Sequence, residues 1–239
     1  MQKIHSLDLL GTTPMGHSFF GPLFAQTEGF SSFLNLPIFN EKDFIGDMWE
    51  KLLAEKLRAI RPDEEALPPD KSAAVLVLFS PPPRGGPGHL VLTKRTSTVE
   101  SHKGQMSFPG GYREEKDKNW LETALREAQE EIGIQMEQVR VLGCLEKVLT
   151  KGAITIVPFV GILEPGQQFI LNPAEVEKIM LLPIEFLLER GLQPVCVQEG
   201  AYSVQSVGIE WEGELIWGAT ARMLEQIYQI FSQNLKEVS

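Results

Sequence analysis

Cysteine is scarce in this chain of 239 residues. The two present, Cys144 and Cys196, stand far apart with no Cys-x-x-Cys pair. That spacing excludes a disulfide framework or a thiolate metal knuckle and is expected of reduced thiols. Histidine is as rare, with four scattered residues and no His-x3-His pattern. No apolar run approaches the ~18 residues that would span a bilayer, so no membrane segment is expected. The first residues lack a basic start followed by an apolar core, so no signal peptide is expected either. Positive charge is also in deficit. Lys and Arg number 22 against 32 Asp and Glu, a formal charge of −10. A broad nucleic-acid or anionic-membrane surface is thereby disfavoured. A phosphate ligand is not, because bound metal ions supply positive charge locally. These absences leave a cytoplasmic small-molecule protein as the expectation.

What is present is a globular composition, 43% hydrophobic and 23% charged, and enough chain for one large domain or one domain with an extension. Residues 1 to about 39 interleave Gly and Ser with Phe19, Phe20, Phe24, Phe30 and Phe33. That is too aromatic for a plain disordered tail. It is expected to wrap onto the main domain, with a partner surface, including a homodimer, as the alternative. Asn40 is a candidate N-cap, and Phe44, Ile45, Met48, Trp49, Leu52, Leu53, Leu57 and Ile60 keep helical period until Pro62. Residues 61 to 72 read as a linker. Ala73 to Phe79 reads as a buried strand and His89 to Lys94 as its return. Val139 to Leu149 and Ile154 to Leu163 suggest a hairpin about Thr150-Lys151-Gly152. Lys178 to Arg190 reads as strand then helix. Tyr202 to Trp217 reads as strands turning at Glu212-Gly213, with an amphipathic helix following. Strands and helices are mixed, so an α/β sandwich is expected.

The chemistry concentrates between Ser107 and Ile134. Leu121, Leu125, Ala128 and Ile132 recur at helical spacing and define an apolar face. Glu127, Glu130 and Glu131 are three and four residues apart, so their carboxylates share a neighbouring face. Gly133 can close the helix in a left-handed conformation. Three neighbouring carboxylates repel one another unless a cation joins them. Mg²⁺ or Mn²⁺ takes such oxygens and keeps waters that a substrate phosphate can replace. Ahead of the helix, Phe108-Pro109-Gly110-Gly111 reads as a loop able to bring bare backbone close to a ligand. A solvated acidic helix is the bland alternative, but here loop, Arg126 and three Glu fall in one register.

This stretch resembles the Nudix box, Gly-x5-Glu-x7-Arg-Glu-U-x-Glu-Glu-x-Gly-U with U a bulky aliphatic. Gly111, Arg126, Glu127, Glu130, Glu131, Gly133 and Ile134 match. Asp117 stands where the signature has Glu, one extra residue precedes Arg126, and Ala128 is smaller than the usual aliphatic. The coenzyme A diphosphatase branch of the family resembles the chain in the same Asp and extra residue. That branch's pattern L-L-T-x-R-[Ser/Ala]-x3-R-x3-G-x3-F-P-G-G is also similar to Val91-Leu92-Thr93-Lys94-Arg95-Thr96, Gly104 and Phe108 to Gly111, with Glu100 in the place of the second Arg. Asn172-Pro173-Ala174-Glu175-Val176 and Ile216 to Arg222 resemble its N-P-x-E-V and I-W-G-x-T-A-R segments.

The resemblance implies a Nudix α/β/α sandwich with a central mixed sheet over residues 73–239, preceded by an extension, 1–72, carrying one helix at about 40–60. It implies a hydrolase that uses Mg²⁺ or Mn²⁺ to cleave the diphosphate of a nucleoside diphosphate derivative. Coenzyme A or an acyl-CoA is favoured. The implied metal site is Gly111, Glu127, Glu130 and Glu131, with Arg126 and Glu175 completing the catalytic set. Arg95, Lys103, Phe108 and Gly110 are the implied substrate contacts. The reversed charge at Glu100 keeps ADP-ribose and dinucleoside polyphosphates as alternative substrates. A non-catalytic nucleotide-binding domain is the alternative of another class, although it would be expected to lack some of the three Glu.

Overall fold

The computed structural model describes residues 48–57, 67–81, 88–96, 104–199 and 202–237. Its centre is a strand, β1 (Ser72–Ser80), whose run of Ala, Val, Leu and Phe is buried on both faces. Such a strand needs a partner along each edge and a layer over each face. β2 (His89–Arg95) pairs antiparallel at one end of it, and β4 (Gly110–Tyr112) at the other, with Val75 opposite Gly110 and Ala74 opposite Gly111. Along its second edge β1 runs parallel to β7 (Thr155–Leu163) through eight residue pairs. The sheet is completed by β3 (Met106–Ser107), β5 (Val139–Cys144), β6 (Val148–Leu149) and β8 (Val176–Pro183). The expected hairpin forms as β6 and β7, closed by hydrogen bonds between Thr150 and residues 153 and 154.

The alternation of β1 divides the core in two. Ala74, Leu76 and Leu78 join one cluster, with Trp120, Ala124, Ala128 and Ile132 of helix α2 (Trp120–Ile132). Val75, Val77 and Phe79 face the other. That side is covered by α1 (Met48–Leu57), α3 (Ile184–Arg190) and α4 (Gly218–Glu237) through Trp49, Leu53, Leu187, Leu224 and Phe231. The architecture is thus a mixed sheet between helical layers. A second sheet, β11-β10-β9, is formed by β9 (Gln193–Glu199), β10 (Tyr202–Trp211) and β11 (Glu214–Trp217).

Two expectations need correction. The apolar stripe of α2 is Trp120, Ala124, Ala128 and Ile132, while Leu121 and Leu125 are only half-buried at its flank. Counting from Leu121 misses that Trp120 is the widest apolar side chain and that alanines let the helix lie close on the sheet. Gly110-Gly111 is no free loop but a strand laid along β1. A Cβ on Gly110 would come within 2.3 Å of the Ala74 carbonyl oxygen, so glycine serves the close approach. A strand with no counterpart in the sequence reading, β9, forms where Gln193 and Pro194 pair with Gly208 and Val207. The helix expected at about 40–60 is described from Met48 to Leu57; Asn40 and Pro62 lie outside the described residues.

Candidate active site

Helix α2 is fixed at both ends. Asn119 caps it by accepting from the Glu122 N–H at 2.8 Å. At its other end Gly133, at φ 73°, donates to Gln129. The Ile132 and Glu131 carbonyls then accept from Ile170 and Asn172 of a loop arriving from β7. All of these bonds are to backbone, so the side chains of the last turn are left to the site.

Arg126 is the knot of the outer half. Its Nε and Nη2 donate to the two Asp117 oxygens at 2.9 and 3.0 Å, its Nη1 to Glu130 at 2.8 Å, and its Nη2 also to the Tyr112 carbonyl. Glu127 lies 3.0 Å from Nη2. Asp117 in turn accepts from the Glu114 N–H and the Thr123 hydroxyl. Burial works against the Asp117 charge, but the bonds from Arg126, Glu114 and Thr123 prevail and hold its pKa at about 2. Arg126 is shifted up, chiefly by Asp117. The acid is one methylene shorter and the connection one residue longer than in the signature, yet the pair meets as a two-pronged bridge. Asp117 had no role in the sequence reading beyond its place in the motif. Its depth between Thr123 and Arg126, a product of the folded 113–119 turn, supplies one.

The inner half is short of positive charge. Glu131 is buried, accepting from the Gly110 N–H at 3.4 Å and from Arg95 Nη1 at 3.3 Å. Burial pushes its pKa up to about 8; Arg95 opposes the shift, and Glu127 and Glu175 add to it. Glu127 is also raised, first by burial, with Arg126 opposing and Glu130 and Glu175 reinforcing. Gly111 makes room for the Glu127 carboxylate, whose carbon would lie 2.6 Å from a Cβ at that position. Glu175 is steered by its own turn, where Asn172 Nδ2 donates to it at 3.2 Å. The sequence pattern contained Asn172, but only as one letter of a loop motif.

Glu127, Glu131, Glu175, Gly110 and Gly111 therefore come together. Glu130 is outermost, held by Arg126 and near Lys116 at 3.6 Å. Arg95 reaches Glu131. Phe108 does not line the site: it is buried among Val75, Met106 and Leu92 in the core. Lys103 and Glu100 lie outside the described residues. No cluster of three His, Cys, Asp or Glu among the described residues is closed around a metal position. The donor set nonetheless fits a divalent cation. Carboxylates outnumber the guanidiniums facing them, and Glu131 is buried with Arg95 as its one charged partner, so a cation would relieve the excess negative charge.

The NUDIX domain model matches residues 70–195 of this chain, the span from β1 through the acidic helix to β9. The chain belongs to the Nudix hydrolase family. One relative, the Nudix hydrolase NudL of Photorhabdus laumondii, itself uncharacterized, is 38% identical over 67% of this chain and 84% of its own length. Another, the mitochondrial Nudix hydrolase 15 of Arabidopsis thaliana, is 34% identical over 71% of this chain. This chain spans only 61% of that plant relative. Among solved structures, a MutT/nudix family protein from Enterococcus faecalis is similar over 84% of this chain and 80% of its own, at 14% identity and a TM-score of 0.45. Nudix hydrolases generally act with divalent metal ions on nucleoside diphosphate derivatives. No described helix is long and apolar enough to cross a membrane.

Proposed function

We propose that this Nudix hydrolase cleaves the diphosphate of coenzyme A or an acyl-CoA, releasing 3′,5′-ADP and 4′-phosphopantetheine. The observation that carries the reading is the meeting of two motif segments at one mouth. Arg95 donates its N–H to Gln105 and accepts from Gly104, which places the L-T-x-R strand against the segment leading to Phe-Pro-Gly-Gly. The same Arg95 reaches Glu131.

Glu127, Glu130 and Glu131 would hold Mg²⁺ or Mn²⁺, with Gly111 yielding the space for Glu127. The bound cation would supply the charge neutralisation that a diphosphate requires. Arg126 orients the carboxylates rather than touching substrate, since Nε, Nη1 and Nη2 are all engaged within the protein. Glu175, held by Asn172 beside the inner carboxylates, is placed to accept a proton from the attacking water. Arg95 supports a substrate phosphate, and Gly110 offers backbone close to it. The 73–239 segment is proposed as the catalytic unit, with α1 of the preceding extension packed onto its core.

A second reading, hydrolysis of ADP-ribose or a dinucleoside polyphosphate, rests on Glu100, which puts a negative charge where the coenzyme A branch's pattern has Arg. One panel separates the two. Phosphate-coupled hydrolysis of coenzyme A, ADP-ribose, NADH and diadenosine polyphosphates is measured with Mg²⁺ and with Mn²⁺. The highest kcat/KM is expected for coenzyme A. A tenfold or greater preference for ADP-ribose or a dinucleoside polyphosphate would replace the first reading by the second.

A further inference from the structure

We infer that Arg95 is a stand-in counter-ion, neutralising Glu131 in the metal-free protein and passing to a substrate phosphate once a divalent cation takes Glu131. The inference rests on the metal reading above and adds an order of events to it.

Two arginines pair with the carboxylates of the acidic helix, Arg126 from the helix itself and Arg95 from β2, and they are built differently. Arg126 is locked, with short bonds from all three of its nitrogens. Arg95 is not. Its Nη1 contact to Glu131 is single and 3.3 Å long, where a charge-assisted bond of this kind is usually about 2.7–2.9 Å. Its Nε is buried without a hydrogen-bond partner. A guanidinium has five donors, and an orphaned buried N–H is costly. The head group is thus held by charge and incompletely satisfied.

The backbone of Arg95, by contrast, is pinned. It sits at the register shift between Lys94 and Arg95, bonded in both directions to Gly104 and Gln105. The side chain keeps 25% of its surface exposed. It can therefore turn toward solvent or ligand without any change in the sheet. Glu131 has no such freedom. It is 1% exposed, with one oxygen on Arg95 and the other on the Gly110 N–H. A cation held by Glu131 would compete with Arg95 for the same carboxylate charge. Two positive groups on one buried carboxylate repel, and of the two Arg95, held by one long bond, is the one free to turn away. The displaced guanidinium remains at the mouth of the site. A phosphate oxygen of the diphosphate would there offer it a geometry that matches its fork.

The arrangement predicts effects of opposite sign from one substitution, which neither a purely structural arginine nor a purely substrate-binding one would give. Mn²⁺ binding to the metal-depleted full chain, without nucleotide, is measured by electron paramagnetic resonance of the free ion. Arg95→Gln is expected to tighten Mn²⁺ about fivefold, and Arg95→Lys, which keeps the charge, to stay near wild type. At saturating Mn²⁺, calorimetry with ADP as the probe is expected to show about tenfold weaker binding in Arg95→Gln. Unchanged or weaker Mn²⁺ affinity, or unchanged ADP affinity, overturns the inference. If Arg95→Gln does not fold, the wild-type protein decides by side-chain ¹⁵N NMR. Exchange of the Arg95 Nε–H with water should quicken on adding Mg²⁺ and slow again on adding ADP; no response overturns the inference. Wild-type protein that binds no Mn²⁺ would sink the metal reading together with this one, whereas a failure confined to the variants leaves the metal reading standing.

Discussion

Asp117→Asn is the most informative single change outside the acidic helix. The substitution keeps the shape and removes the charge. Asn can offer one oxygen to Arg126, but its amide then points a donor at the Arg126, Glu114 or Thr123 donors that Asp117 now satisfies. Breaking a buried pair by neutralising one partner costs about 3–5 kcal/mol. Arg126 would retain Glu130 at 2.8 Å and Glu127 at 3.0 Å, so ~2–3 kcal/mol is the expected loss. The pH dependence is an independent check. Asp117 has a folded pKa of about 2, below the ~3.9 of an unfolded Asp. Its contribution is therefore complete above about pH 4 and is lost as pH falls through 2, an amount of roughly 2 kcal/mol. Urea denaturation of both proteins from pH 7 to pH 2.5 measures it. The gap between wild type and variant should be constant from pH 7 to 5 and narrow below pH 4. A gap under about 0.5 kcal/mol at pH 7, or one that does not narrow in acid, would refute the assignment of Asp117 as the anchor of Arg126.

Glu130→Gln and Glu131→Gln are each expected to lower turnover about a hundredfold or more with the fold retained, since losing a charge-stabilising group costs ~3–4 kcal/mol of barrier; near-wild-type turnover at saturating metal in both would remove the metal-site reading. In chelator, Glu131→Gln should also be the more stable protein at pH 8. Its parent's pKa is raised to about 8, so wild type loses stability as pH climbs from about 4.5 toward 8 and the variant does not, a difference of about 1 kcal/mol or more by thermal denaturation. Gly111→Ala should lower kcat at least tenfold with a small change in Tm, because the new Cβ displaces the Glu127 carboxylate, whereas Gly110→Ala should cost ~2 kcal/mol or more through its 2.3 Å approach to the Ala74 backbone; equal behaviour of the two would contradict the packing. Glu100→Arg should raise the kcat/KM ratio of coenzyme A over ADP-ribose about tenfold at low salt, and a ratio that does not move would show that this position does not read the 3′-phosphate.

The elements most legible in the sequence are those whose burial is one-sided or complete. β1 is a run of apolar residues, and its alternation assigns Leu76 and Val77 to opposite layers without further information. Gly133 marks the helix end because an αL cap has few alternatives. Spacing on a helix also brought Glu127 and Glu131 to one side. What spacing could not show is depth. Glu130 and Glu131 are adjacent in the chain, yet one is half-exposed and the other is 1% exposed beneath Arg95. That difference is set by β2, which brings Arg95 from 36 residues away, and by β4, which the chain folds back onto β1 beside the helix. The same holds for Phe108, whose place in the core follows from the pairing of β4 with β1, and for Asn172, which matters through the carbonyl of Glu131 and the carboxylate of Glu175.

The contact between α4 and β3 bears on how the enzyme comes into being. Thr220 donates its hydroxyl to the Met106 carbonyl at 3.0 Å, and Met223, Leu224 and Ile227 fill the layer under the strands that carry Gly110 and Arg95. Residues more than a hundred positions apart must therefore meet before the glycine strand has its support. Contacts of such sequence separation form late in folding. During synthesis the acidic helix will emerge, with its carboxylates, well before the helix that braces the opposite layer. The nascent chain is thus expected to be a poor hydrolase, sparing its substrate until α4 has left the ribosome and docked.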